Sequence, residues 1–98
     1  MPAIDVNLDA IAEVCARYGI GRLDIFGSVA RGDHRVDSDI DLLYELAPGQ
    51  HLGWEITDLS DELARIFNRP VDLVSRQALH PLIRHQVLKD ARPLYATL

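Results

Sequence analysis

The chain is poor in cysteine, in positive charge and in long apolar runs, and each shortage closes off a class of protein. A single cysteine, Cys15, occurs in 98 residues, which excludes an internal disulfide and any zinc site built from several thiolates. It falls among apolar positions of a helical pattern, so it reads as core, as free cysteines usually do. No stretch approaches the roughly 20 apolar residues that cross a bilayer, and the opening Met1-Pro2-Ala3-Ile4-Asp5 lacks the basic start of a signal peptide. A cytoplasmic protein without a membrane segment is expected. Lys and Arg number 10 against 15 Asp and Glu, a net charge of −5, so a broad basic face for a phosphate backbone is not expected, nor direct nucleic-acid binding.

What is present suits one domain. Apolar residues make up 48% of the chain, enough for a single core, and residues 1–98 leave no room for a second one. Asn7 can cap a helix over Leu8 to Tyr18, in which Leu8, Ile11, Ala12 and Cys15 form a buried stripe and Gly19 supplies a stop. Leu23 to Phe26 reads as a strand running into Gly27-Ser28, with a helical turn around Val29 to Gly32. Asp39 to Tyr44 reads as a second strand. Ile56, Leu59, Leu63 and Ile66 recur at helical spacing between Trp54 and Phe67, with Asp58, Asp61, Glu62 and Arg65 left for the wet face. Pro70 blocks continuation, and Val71-Asp72-Leu73-Val74 is a third strand. Pro81 opens a last helix reaching about Lys89, and Pro93-Leu94-Tyr95 is an extended tail. Helices and strands alternate, which predicts three main strands covered by helices. The pattern does not reveal whether the strands are parallel.

Chemistry is concentrated in acids. Asp39 and Asp41 stand at i and i+2 in a strand, so both carboxylates project from one side while Ile40 and Leu42 take the other. Two carboxylates so placed repel unless a cation lies between them, and a hard, oxygen-seeking Mg²⁺ is the usual solution. Asp72 lies within another strand between Val71 and Leu73, where an isolated buried carboxylate would need a partner. The economical expectation is that all three converge on one or two metal ions. On spacing alone, an alternative stands beside it: a solvent-facing sheet surface, with Asp72 capping the end of its strand. The second element is Gly27-Ser28, where a strand passes into a helical segment whose free N–H groups can bind phosphate. Gly27 permits close backbone approach, and Ser28 offers a hydroxyl and an N–H.

The run Gly27-Ser28-Val29-Ala30-Arg31-Gly32-Asp33 followed by Ser38-Asp39-Ile40-Asp41-Leu42-Leu43 resembles the core motif of the DNA polymerase β-like nucleotidyltransferases. More narrowly it is similar to the minimal nucleotidyltransferases typified by MntA-type antitoxins. The resemblance covers nearly the whole chain, through Val71-Asp72-Leu73-Val74 and Leu94-Tyr95. It implies an α+β nucleotidyltransferase fold with a small mixed β-sheet covered by helices, in a single domain. It implies Asp39, Asp41 and Asp72 as metal ligands and catalytic acids, with Gly27 and Ser28 at the triphosphate. Arg31 is a further candidate for phosphate, or a structural partner of Asp33 or Asp37. The implied cofactor is Mg²⁺, with Mn²⁺ able to replace it, and the implied co-substrate is ATP. The implied reaction is AMP transfer onto a hydroxyl of a partner protein, typically a tyrosine of a HEPN-type ribonuclease toxin, with this chain as the antitoxin. The alternative is a catalytically silent, antitoxin-like module that neutralises its partner by binding. Homo- or hetero-oligomers are both open.

Other residues carry blander expectations. His34, His51, His80 and His85 lack metal-site spacing and read as surface or loop residues. Trp54 could stack on a base, but an aromatic residue opening an amphipathic helix is usually core. Asp24 alternates with Leu23 and Ile25, so it either supports the site or faces solvent.

Overall fold

The computed structural model describes residues 6–27, 30 and 39–97. Helix α1 spans Leu8–Arg17, and its cap is as expected: the side chain of extended Asn7 accepts from the Ala10 N–H at 3.1 Å. It buries Ile11, Val14 and Cys15. Gly19, at φ +73°, turns the chain into strand β1, Ile20–Phe26. Strand β2 covers Ile40–Leu46. Both strands are longer than Leu23–Phe26 and Asp39–Tyr44, because Ile20 and Arg22 find partners in Leu46 and Glu45. Helix α2 runs Glu55–Phe67 and ends on Asn68 at φ 56°, from which the Asn68 and Arg69 N–H groups close onto the carbonyls of Arg65 and Ala64. Pro70 then hands the chain to β3, Val71–Ser75, and its carbonyl accepts from the Ile40 N–H at 2.9 Å. A 3₁₀ turn, Arg76–Ala78, leads to helix α3, Pro81–Asp90.

The segment expected as an extended tail is a fourth strand, β4, Arg92–Ala96, hydrogen-bonded to β1. The sheet therefore has four strands in the order β3-β2-β1-β4 rather than three main ones. It is mixed: β2 and β3 are parallel, and β1 is antiparallel to both β2 and β4. One face carries Leu23, Ile25, Ile40 and Leu42 and packs with Ile11, Val14 and Cys15 of α1 and Leu59, Leu63 and Phe67 of α2 into the main core.

Topology assigns the other face. Strand β4 runs parallel to β2 and β3, because it and β2 are both antiparallel to β1. Two connections thus join parallel strands: β2-α2-β3 moves outward to an edge, and β3-α3-β4 moves back across β2 and β1. Such crossovers are right-handed almost without exception, and two of them travelling in opposite directions lie on opposite faces of the sheet. Since α2 belongs to the main core, α3 crosses the face that carries Asp41, Leu43 and Glu45. Leu43 and Leu79 are 1% and 7% exposed yet stand outside the core cluster, as a covered second face requires.

Candidate functional site

Register brings the acids together. In β1 and β2 Phe26 pairs with Asp41, and in β2 and β3 Asp41 pairs with Asp72. Neighbouring strands lie about 4.8 Å apart and in-register neighbours share a face, so Asp41 and Asp72 stand side by side on the face that α3 crosses. Asp39 immediately precedes β2 and is exposed, two residues from Asp41 and thus on its side of the strand. Asp72 is exposed rather than buried, because β3 is an edge strand and the open end of this face reaches it. Its expected need for a buried partner does not arise. Among the described residues no group of three or more His, Cys, Asp or Glu side chains is gathered closely enough to hold a metal ion. The convergence of Asp39, Asp41 and Asp72 is therefore a matter of backbone register, with Asp39 and Asp72 exposed and Asp41 half-buried.

Gly27 follows directly at the end of β1, at φ +78°. A Cβ on Gly27 would collide with Oδ2 of Asp41. The glycine thus serves the carboxylate beside it as well as the turn, and the space it leaves lies between the end of β1 and the Asp41–Asp72 row. Hard oxygen donors from one row beside a backbone turn with no side chain fit a divalent cation and a phosphate chain. Ser28 and Arg31, the other expected nucleotide-binding residues, lie outside the described residues, as do Asp33, His34 and Asp37.

Two residues along the strand from this row sits Asp24, which pairs with Leu43. Asp24 is fully buried, which rules out the solvent-facing one of its two expected placements. Its carboxylate accepts from Nε of Arg22 at 3.1 Å to each oxygen and from Nη1 of Arg76 at 3.1 Å. Nε of Arg76 also lies 3.6 Å from Oε1 of Glu45. Sequence reasoning passed over both arginines. Arg22 was findable, being two residues from Asp24 on one strand face; Arg76 gave no local signal, being 52 residues away.

The remaining expectations divide. His51, His80 and His85 are exposed, and His80 caps α3 by accepting from the Leu82 N–H at 3.1 Å. Trp54 is 96% exposed and not core. It follows the loop after Leu46, whose partner Ile20 begins β1, at the end of β2 away from Asp41. Cys15 is core as expected, and burial pushes its thiol pKa up to about 12.

Residues 9–97 match the family model described as polymerase beta, nucleotidyltransferase, and the chain belongs to this family of nucleotidyltransferase enzymes. Within it the chain stands among the minimal nucleotidyltransferases. It is 33% identical over 81 residues to a Methanocaldococcus jannaschii protein described as a protein adenylyltransferase, covering 83% of this chain and 86% of that one. It is 31% identical over 78 residues to the protein adenylyltransferase MntA of Thermococcus cleftensis, covering 80% and 78%. Among solved structures, one described as a minimal nucleotidyltransferase superposes with a TM-score of 0.73 at 42% identity, covering 88% of this chain and 87% of that one. The MNT antitoxin in complex with a tri-AMPylated HEPN toxin from Shewanella oneidensis shares the fold, with a TM-score of 0.64 at 20% identity over 92% and 70% of the two chains.

Proposed function

We propose that this chain uses Mg²⁺ to transfer AMP from ATP to a hydroxyl of a partner protein, and that it is the antitoxin of a HEPN-type toxin. The observation that carries the reading is the parallel register of β2 and β3, which sets Asp41 beside Asp72 next to a glycine whose missing side chain gives Asp41 its room. Asp39, Asp41 and Asp72 are the proposed ligands of the cation, with Mn²⁺ able to replace it. Gly27, Ser28 and Arg31 are the proposed triphosphate contacts. The cation, when bound, neutralises charge on the triphosphate and acidifies the acceptor hydroxyl. The acceptor oxygen attacks the α-phosphorus, the bond to the bridging oxygen breaks, and pyrophosphate leaves with that electron pair. Asp72 is exposed, and a carboxylate open to the incoming hydroxyl can take its proton. The names of the adenylyltransferase relatives and the AMP-bearing HEPN complex support AMP as the group moved and a HEPN toxin as acceptor.

Co-expression with the protein encoded beside this chain, followed by intact-mass measurement, tests the proposal. The partner should be heavier by whole AMP units, and Asp72→Ala should remove the added mass while the chain stays folded. A partner neutralised equally well by Asp72→Ala, with no mass added in either case, would replace catalysis by masking.

A further inference from the structure

We infer that Arg76, held by buried Asp24, is a positioning residue that fixes α3 over the catalytic face and so sets the path by which the acceptor hydroxyl reaches Asp72. The inference rests on the proposed transfer reaction taking place on that face.

Helix α3 packs only lightly, with Val87 and Leu88 half-buried. It contains no buried residue, and every position from 81 to 86 is exposed, Leu82 at 88% and Ile83 at 51%. Its placement therefore depends in large part on its two ends. The far end passes into β4, which is hydrogen-bonded to β1. The near end is the turn Arg76–Ala78, whose residues are also unburied, followed by buried Leu79. The turn continues directly from β3, and the Arg76 side chain adds a second tie, from the turn to β1.

That side chain makes an unusual crossing. Arg76 leaves the end of β3, an edge strand, and reaches Asp24 on β1, two strands away. Two strand spacings amount to about 10 Å, so the guanidinium lies across β2, where Glu45 meets its Nε at 3.6 Å. The result is a strut laid over the sheet on the face of Asp41. It lies close to the acids: Asp24 pairs with Leu43 and Phe26 with Asp41, a displacement of two residues, or about 7 Å along the strand. The buried end explains its strength. A carboxylate fully removed from water is costly unless its lone pairs are filled, and Asp24 is filled by Arg22 and Arg76 together. One strut thus anchors the start of α3 and forms the floor next to the acid row.

Arg76→Ala and Arg76→Lys separate this role from general stability. In Arg76→Ala, Asp24 keeps Arg22, so the sheet should survive. Hydrogen exchange should then quicken about tenfold or more across 76–90, the segment whose local opening the strut restrains, while α1 and α2 stay protected. In transfer assays on the co-expressed partner, the partner concentration giving half-maximal rate should rise about tenfold, a change of 1.4 kcal/mol, while that for ATP stays unchanged. Arg76→Lys, which keeps a cation of similar reach, should recover part of both effects, and Asp24→Asn should reproduce the loss by an independent route. Unchanged exchange in α3 for Arg76→Ala overturns the inference whether or not the chain transfers AMP. So does a uniform loss of protection, or an equal rise for ATP and partner, since either marks a merely structural residue. Absence of any transfer by the unaltered chain would instead strike the proposed function, leaving exchange to decide the role of Arg76.

Discussion

At Gly27 two constraints meet, a positive φ of +78° and the Oδ2 atom of Asp41 in the space a Cβ would fill. A left-handed conformation costs a residue with a side chain about 1–2 kcal/mol, and the clash adds displacement of the carboxylate. Gly27→Ala should therefore lower the melting temperature by several degrees, at about 4–8 °C per kcal/mol for a domain of this size, and reduce AMP transfer by far more than that destabilisation explains. Parallel melts and transfer rates check this; a variant with lowered stability and full activity would show that the position of Asp41 does not matter to the reaction. The neighbouring acids were legible because strand alternation alone puts Asp39 and Asp41 on one side. Asp24 was not, because burial depends on which side chains arrive from elsewhere, and Arg76 arrives from 52 residues away. Trp54 misled for a related reason: the buried stripe starts inside α2, at Leu59 and Leu63, leaving the ring outside.

Between α1 and α2 the contact is partly ionic. Arg17 Nη2 donates to Glu62 Oε1 at 2.7 Å, and the Tyr18 hydroxyl donates to Oε2 at 2.5 Å. The Arg17 hydrogen bond first, and that of Tyr18 second, hold the Glu62 carboxyl below the usual glutamate range. A depressed folded-state pKa means that the stabilisation is full above the unfolded value, about 4.3, and is lost as pH falls through the lower folded value. Glu62→Gln should thus lower the melting temperature modestly at pH 7, and the gap to the unaltered chain should close as the pH is taken below 4. A gap independent of pH would assign the effect to packing. At this scale the sequence was most informative about helices. Asn7, Gly19, Pro70 and Pro81 bound α1, α2 and α3 to within a residue or so, because caps and breakers are local chemistry. Strand partners are not local. Pro93 to Tyr95 read as a tail, whereas Arg92–Ala96 form β4, an edge strand paired with β1, where the donor that Pro93 lacks is tolerated. The parallel pairing of β2 with β3, on which the acid row depends, was likewise unreadable from alternation.

For the molecule as a whole, the proposed site makes stability depend on ligand. Mg²⁺ with ATP at about 100 times its Kd should add about 2.7 kcal/mol by mass action, and Asp39→Asn with Asp41→Asn should remove that gain without unfolding the chain. Thermal melts with and without chelator measure it, and a shift that survives the double substitution would move the cation elsewhere. The strand order has a consequence in time as well as in space. Strands β1 and β2 are neighbours in sequence and can pair early, as a nearly local hairpin, whereas Leu23 must wait for Tyr95 and Asp41 for Asp72. Distant pairings form slowly because loop closure precedes their reward. During synthesis the apolar flank of β1 is therefore left bare until residues 92–96 have emerged, and throughout that interval it is a template for pairing with another nascent chain.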